Sequence, residues 1–82
     1  MVAREFKQLI IFIIIHQKTI ECWNESEYQP LIKLLFRESG INPYVINPTS
    51  GACGLFQSIN CDYELGNVKQ QMDWGCNYIK RR

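Results

Sequence analysis

The chain lacks a long apolar run, a CxxC pair, a second histidine and any real excess of charge, and each absence removes a class of function. Its longest apolar run, LIIFIII at residues 9–15, is seven residues, against the roughly 20 that a membrane-spanning helix needs. Nine basic and eight acidic side chains leave a formal charge of +1, which is no electrostatic footprint for nucleic acid. The single histidine, His16, sits beside the isoleucine run and far from the cysteines. No ligand-like spacing therefore points to zinc or any other metal, and no cofactor is expected. Internal repeats, low-complexity segments and linkers are absent as well. At 82 residues the chain has room for one small domain, of a size at which a hydrophobic core alone supplies only about 3–5 kcal/mol and covalent staples are common.

Staples are on offer. Cys22, Cys53, Cys61 and Cys76 are an even set in a short chain, which favours an oxidising, extracytoplasmic setting if the protein is exported. Three pairings can be drawn. Cys53 and Cys61, on either side of GLFQSIN, are the first expected bridge, and free buried thiols are the alternative, because cysteine also packs as a small apolar residue. Residues 1–21 form an N-terminal apolar segment of unassigned role. Arg4 and Lys7 ahead of the apolar run resemble the start of a secretory signal, but no small-residue cleavage site follows in HQKTIEC. A buried strand, the core side of a helix, or a membrane contact by residues 9–15 all fit the run, since periodicity does not separate the first two.

Residues 22–40 read as a helix with marked ends. Ser26 and Gln29 have capping-box spacing, Pro30 suits only a first turn, and Gly40 supplies a left-handed residue past the C-terminus. Leu31, Leu34, Leu35 and Glu38 follow helical spacing, so Glu38 emerges at the edge of the apolar face, away from Lys33 and Arg37. Three glycines and two prolines in residues 40–58 then predict turns and short extended pieces, with Asn42-Pro43 and Asn47-Pro48 as turn initiators. From Asn67, the residues Val68, Met72, Gly75, Cys76 and Ile79 return to helical spacing, and Lys80, Arg81 and Arg82 suit the negative end of that helix.

Glu38 is the chain's candidate for chemistry. Its expected apolar surround and the negative end of its own helix both disfavour the charged form. An uncharged carboxyl can donate a proton to a leaving-group oxygen, which glycosidic cleavage requires. The plainer reading is a glutamate in a salt bridge with Arg37, Lys33 or a residue across the fold.

The surrounding stretch shifts the weight toward the first. Glu38-Ser39-Gly40, Asn42-Pro43, Val45-Ile46-Asn47-Pro48 and Ser50-Gly51-Ala52-Cys53-Gly54-Leu55-Phe56-Gln57, followed by Trp74-Gly75, Asn77, Tyr78 and Ile79, resemble in order the signature of the lysozyme-like lytic transglycosylases. That signature is E-S-x-x-N-P, a spacer, S-G-A-x-G-L-x-Q, and in small phage and Gram-positive members a W-G-x-x-Y-I helix. The resemblance covers roughly residues 22–80. It implies a lysozyme-like fold, α+β but mainly α and truncated, in residues 22–82. It also implies cleavage of the peptidoglycan strand between N-acetylmuramic acid and N-acetylglucosamine.

Carried over residue by residue, the resemblance makes Glu38 the only catalytic carboxyl. It would protonate the glycosidic oxygen and then accept a proton from the muramyl 6-hydroxyl, leaving a 1,6-anhydro sugar. Asp62 and Glu64 are the next acids along the chain, and either, folded back, would open hydrolysis by water instead. Gln57 matches the glutamine that faces the cleft, and its amide suits an N-acetyl group. Ser39 would orient Glu38 or bind substrate, Gly51 and Gly54 would keep the loop backbone near the sugar, and Tyr44, Phe56 and Tyr78 would serve as sugar platforms. Family members usually continue past the W-G-x-x-Y-I helix to complete the cleft, so a second chain or residues 1–21 would complete it here. A secreted, wall-associated or phage-particle location follows from the same resemblance, and a non-catalytic peptidoglycan-binding or structural module is the alternative function.

Overall fold

The computed structural model describes the backbone of residues 2–80 and the side chains of residues 7–79. Arg81 and Arg82, expected to complement the last helix, lie outside the described residues, as do the side chains of Arg4 and Lys80.

The apolar run is helical. Helix α1 spans Val2–Cys22 without an interrupting glycine or proline, and only one of its faces is covered. Ile15 and Thr19, one turn apart, are fully buried, whereas Leu9, Ile10 and Ile13 stay exposed. A strand at this place would need a partner edge, and residues 9–15 find a helix to pack on instead. The buried Thr19 hydroxyl donates to the Ile15 carbonyl at 2.7 Å, so its polarity is met within the helix.

The expected helix over residues 22–40 is divided. A single 3-10 turn, Glu25–Glu27, precedes helix α2, Tyr28–Ser39. The Ser26–Gln29 capping box does not form. Asn24 takes over, its side-chain oxygen accepting from the Ser26 amide at 3.0 Å, and α2 begins without a side-chain cap. Pro30 lies in the first turn of α2, where no backbone donor is lost. At the other end Gly40 is left-handed (φ 66°), and its amide reaches the Leu35 and Phe36 carbonyls.

Residues 41–67 are turns. The oxygen of the Asn42 side chain accepts from the Tyr44 amide at 2.9 Å, and that of Asn47 accepts from the amides of Thr49 and Ser50, as the Asn-Pro pairs predict. Among the described residues the sheet content is two isolated antiparallel bridges, Ile46 to Cys53 and Cys53 to Ser58. The chain is thus mainly helical, with these bridges standing where an α+β class anticipates strands.

Helix α3, Val68–Lys80, starts at Asn67, whose side chain accepts from the Gln70 amide. It packs beside α1 in the same sense, because Ile14 and Val68 share one groove, Lys18 pairs with Asp73 at 2.9 Å, and Cys22 is bonded to Cys76. The core between the helices is Ile15, Leu31, Leu35, Ile41, Leu55, Val68 and Met72. Gln71 holds the turns to it. Fully buried, this side chain accepts from the Leu55 amide at 2.8 Å and donates to the Pro43 and Glu64 carbonyls at 2.9 and 3.0 Å. Three separate turn segments thereby satisfy buried backbone groups on one residue of α3.

Both cysteine pairs are bonded, Cys22 to Cys76 and Cys53 to Cys61, and no thiol remains free. The local bridge is the expected one, and the free-thiol alternative is overturned. Two disulfides fit an oxidising, extracytoplasmic environment. Among the described residues no helix is long and apolar enough to cross a membrane.

Candidate active site

Gly40 ends α2 one residue after Ser39, which leaves Glu38 in the last helical turn, over a cleft of about 620 Å³. One wall is α2, with Leu34 beside Glu38. A second is the turn Phe56–Asn60 together with Asp62, and a third is α3, with Trp74, Tyr78 and Ile79. A cleft of this size falls within the range of small-ligand sites. Among the described residues its lining carries two carboxylates and no Lys, Arg or His, which suits a neutral, hydroxyl- and amide-bearing ligand better than an anion.

Glu38 is exposed, so the enclosing apolar surround expected of it is not present; its apolar neighbours are the cleft wall on one side only. Nor is the salt bridge of the plainer alternative found among the described residues. Among the described residues the ion pairs are His16–Glu25, Lys18–Glu21 and Lys18–Asp73, and Glu38 pairs with neither Arg37 nor Lys33.

The other residues singled out in the sequence divide between this cleft and the rest of the molecule. Gln57, at φ 52°, lines the cleft, its amide nitrogen donating to the Gly54 carbonyl at 3.0 Å. Tyr78 lines it too, stacked on Trp74 with ring centroids 5.0 Å apart and 14° between planes. Phe56 is half-buried, its ring lying on Gly75 so closely that a Cβ there would fall 2.2 Å from it. Ser39 does not line the cleft; its hydroxyl donates to the Leu35 carbonyl at 3.0 Å within α2.

Gly54 is buried behind the cleft wall, at φ 73°. A Cβ there would meet Tyr63 at 2.4 Å and the Gln71 amide oxygen at 2.7 Å. Its service is close packing, not approach to a sugar. Gly51 is an exposed turn residue with open space about it. Tyr44, although exposed, lies against Gly66 at a different groove, and Glu64 lines that groove as well. Of the two later acids, Asp62 is therefore the one that shares a cleft with Glu38. Its carboxylate accepts from the Ser58 hydroxyl at 2.7 Å.

Trp74, Ser58, Ile59 and Asn60 complete the cleft and were not assigned to it from sequence. For Trp74 the signal was the W-G pair itself; for the others only the Cys53–Cys61 pairing hints that the enclosed turn is presented as a unit. The same turn is held from below by Tyr63. Its hydroxyl donates to the Cys53 carbonyl at 2.6 Å and accepts from the Phe56 and Ser58 amides at 3.3 Å, and its ring meets Trp74 edge-on at 5.3 Å.

Burial pushes the Tyr63 phenol above its ordinary value of 10.0, against the two amide donations that favour its charged form. A raised folded value means the contribution of Tyr63 is complete below pH 10 and lost as pH rises through that value. Lys18, raised above 10.5 by its hydrogen bond to Asp73, loses its contribution in the same alkaline direction. Tyr63→Phe should cost about 1–3 kcal/mol at neutral pH, chiefly from the Phe56 amide left without its acceptor, since the Ser58 amide and the Cys53 carbonyl keep their bond to each other at 3.0 Å. It should also leave a shallower fall of stability above pH 10 than the parent shows, read by urea unfolding at a series of pH values. An identical alkaline slope in both proteins would contradict the assignment.

Comparison with known proteins gives no match: no family model, no curated protein and no solved structure is significantly similar to the chain.

Proposed function

We propose that this chain is a peptidoglycan-cleaving glycosidase of the lytic transglycosylase type, lysozyme-like in its fold, acting on the bond between N-acetylmuramic acid and N-acetylglucosamine. The observation that carries the reading is Glu38, without an ion-pair partner among the described residues, opening onto a cleft with Gln57, Trp74 and Tyr78. These side chains supply what an N-acetylated sugar asks for: an amide for its N-acetyl group, aromatic faces for its ring, and one carboxyl at the bond.

A glycan seated in the cleft displaces water from Glu38 and covers it with sugar. The carboxylic acid then gives its proton to the glycosidic oxygen as the bond from that oxygen to C1 of the muramyl residue breaks. The muramyl 6-hydroxyl forms the new bond to C1, and its proton passes to the Glu38 carboxylate. No water is consumed, and Glu38 is returned as the acid. Secretion to the wall, or carriage on a phage particle, is the setting in which the two disulfides and this substrate go together.

A second reading is favoured by Asp62, which lines the same cleft. As a nucleophile or a base for water it would turn the reaction to hydrolysis. Mass analysis of soluble fragments from purified peptidoglycan separates the cases. The transglycosylase product is lighter by one water than the hydrolytic one, and glycan binding with no soluble fragments would leave the non-catalytic module as the better reading.

A further inference from the structure

The isoleucine-rich helix takes no part in the cleft. None of the described side chains of α1 lines it, and what α1 does offer is an uncovered apolar surface. Leu9 and Ile13, one turn apart, are 56% and 47% exposed, and Ile10 beside them is 42% exposed. Ile10 continues this stripe into a groove of about 550 Å³, where Ile11 and Ile14 face Pro43, Leu65 and Val68. Contiguous apolar surface of this kind marks a contact site on a soluble domain.

The charges around it are mainly basic. Among the described residues, Lys7 stands on the α1 wall of the groove and Lys69 on the α3 wall, both exposed, and Glu64 is the one acid lining it. From residue 6 to residue 20 the chain has no Asp or Glu. Tyr44, 66% exposed, sits at the groove with its ring against Gly66, an aromatic with one apolar and one polar end, as interfaces between water and hydrocarbon favour.

We propose that this face of α1 docks the protein on the surface of an anionic lipid bilayer. The helix lies in the interface, with Leu9, Ile10 and Ile13 entering the apolar boundary and Lys7 and Lys69 meeting the headgroups. The arrangement is that of an interfacial helix, not a spanning one. The proposal does not rest on the function of Glu38, since the groove and the cleft share no lining residue.

The experiment is cosedimentation of the oxidised, full-length chain with vesicles of phosphatidylcholine alone and of phosphatidylcholine mixed with phosphatidylglycerol. Binding is expected to the anionic vesicles and to weaken with added salt. Leu9→Asp/Ile13→Asp should abolish it, and Lys7→Glu/Lys69→Glu should weaken it by about tenfold or more. All four side chains are exposed, and unchanged thermal midpoints verify that both variants fold. Equal binding to neutral vesicles, no binding to either, or full binding by the aspartate variant would overturn the proposal. So would release of trapped dye, which means insertion, or a dimer in solution that the aspartate variant dissociates.

Discussion

Glu38→Gln is expected to lower the release of soluble fragments from purified peptidoglycan by about 10²–10⁴-fold, the usual worth of a positioned acid–base group. Glutamine keeps the shape and the hydrogen-bonding reach of the side chain and removes only the transferable proton. Because Glu38 is exposed and has no ion pair among the described residues, the exchange should move stability by no more than about 0.5 kcal/mol. Sedimentation with insoluble peptidoglycan should persist, through Gln57, Trp74 and Tyr78. A variant that digests peptidoglycan as fast as the parent would refute the role of Glu38. Asp62→Asn, assayed in parallel, tells the two chemistries apart: transglycosylation survives it, and hydrolysis using Asp62 does not.

Loss of the Cys22–Cys76 bridge should have the largest effect on stability. It closes a loop with a sequence separation of 54, for which the chain-entropy relation gives about 4 kcal/mol. That is a large share of the roughly 5–15 kcal/mol by which domains are stable, in a chain whose length allows only a small core. Cys22→Ser/Cys76→Ser should therefore shift the urea midpoint strongly, or leave the chain unfolded at 37 °C. The Cys53–Cys61 bridge, with a separation of 8, is worth about 2.5 kcal/mol by the same relation. Its removal should cost glycan cleavage more than stability, because the turn it closes carries Phe56, Gln57, Ser58, Ile59 and Asn60 to the cleft. Equal midpoints for the Cys22/Cys76 variant and the parent would contradict the entropic account.

Several features of the fold are legible residue by residue. Gly40 stops α2 because a left-handed residue is needed there, and Asn42 and Asn47 turn the chain because their side chains bond to amides two residues on. Asn67 opens α3 in the same local way. The expected cap at Ser26 gives way to Asn24, which caps the 3-10 turn ahead of α2, because both positions offer a short oxygen acceptor and the sequence does not show that a 3-10 turn intervenes. The apolar run at residues 9–15 was ambiguous for a different reason. A short stretch of large apolar residues satisfies a buried strand and a buried helix equally, and the choice depended on α3 lying alongside.

The candidate site was legible only in part. Glu38, Gln57 and Tyr78 were named from their order along the chain, and they do line one cleft. Tyr44 and Gly54 belong to the same ordered stretch, but one lies at another groove and the other is packed against Tyr63 and Gln71. Sequence order does not encode which side of a turn a residue faces. Gln71, which holds three turn segments to α3, is silent in the sequence, since a glutamine on a helix usually faces water.

The amino-acid sequence alone thus determines where helices end, where the chain turns and which carboxyl stands at a helix terminus, because those outcomes depend on backbone preferences and hydrogen bonds within a few residues. That the cysteines are bonded and not free thiols, that Asp62 and not Glu64 shares the cleft of Glu38, and which face of the isoleucine helix stays bare were decided only by the tertiary structure. They depend on contacts between segments tens of residues apart, whose cost in loop closure is recovered only when the whole core assembles.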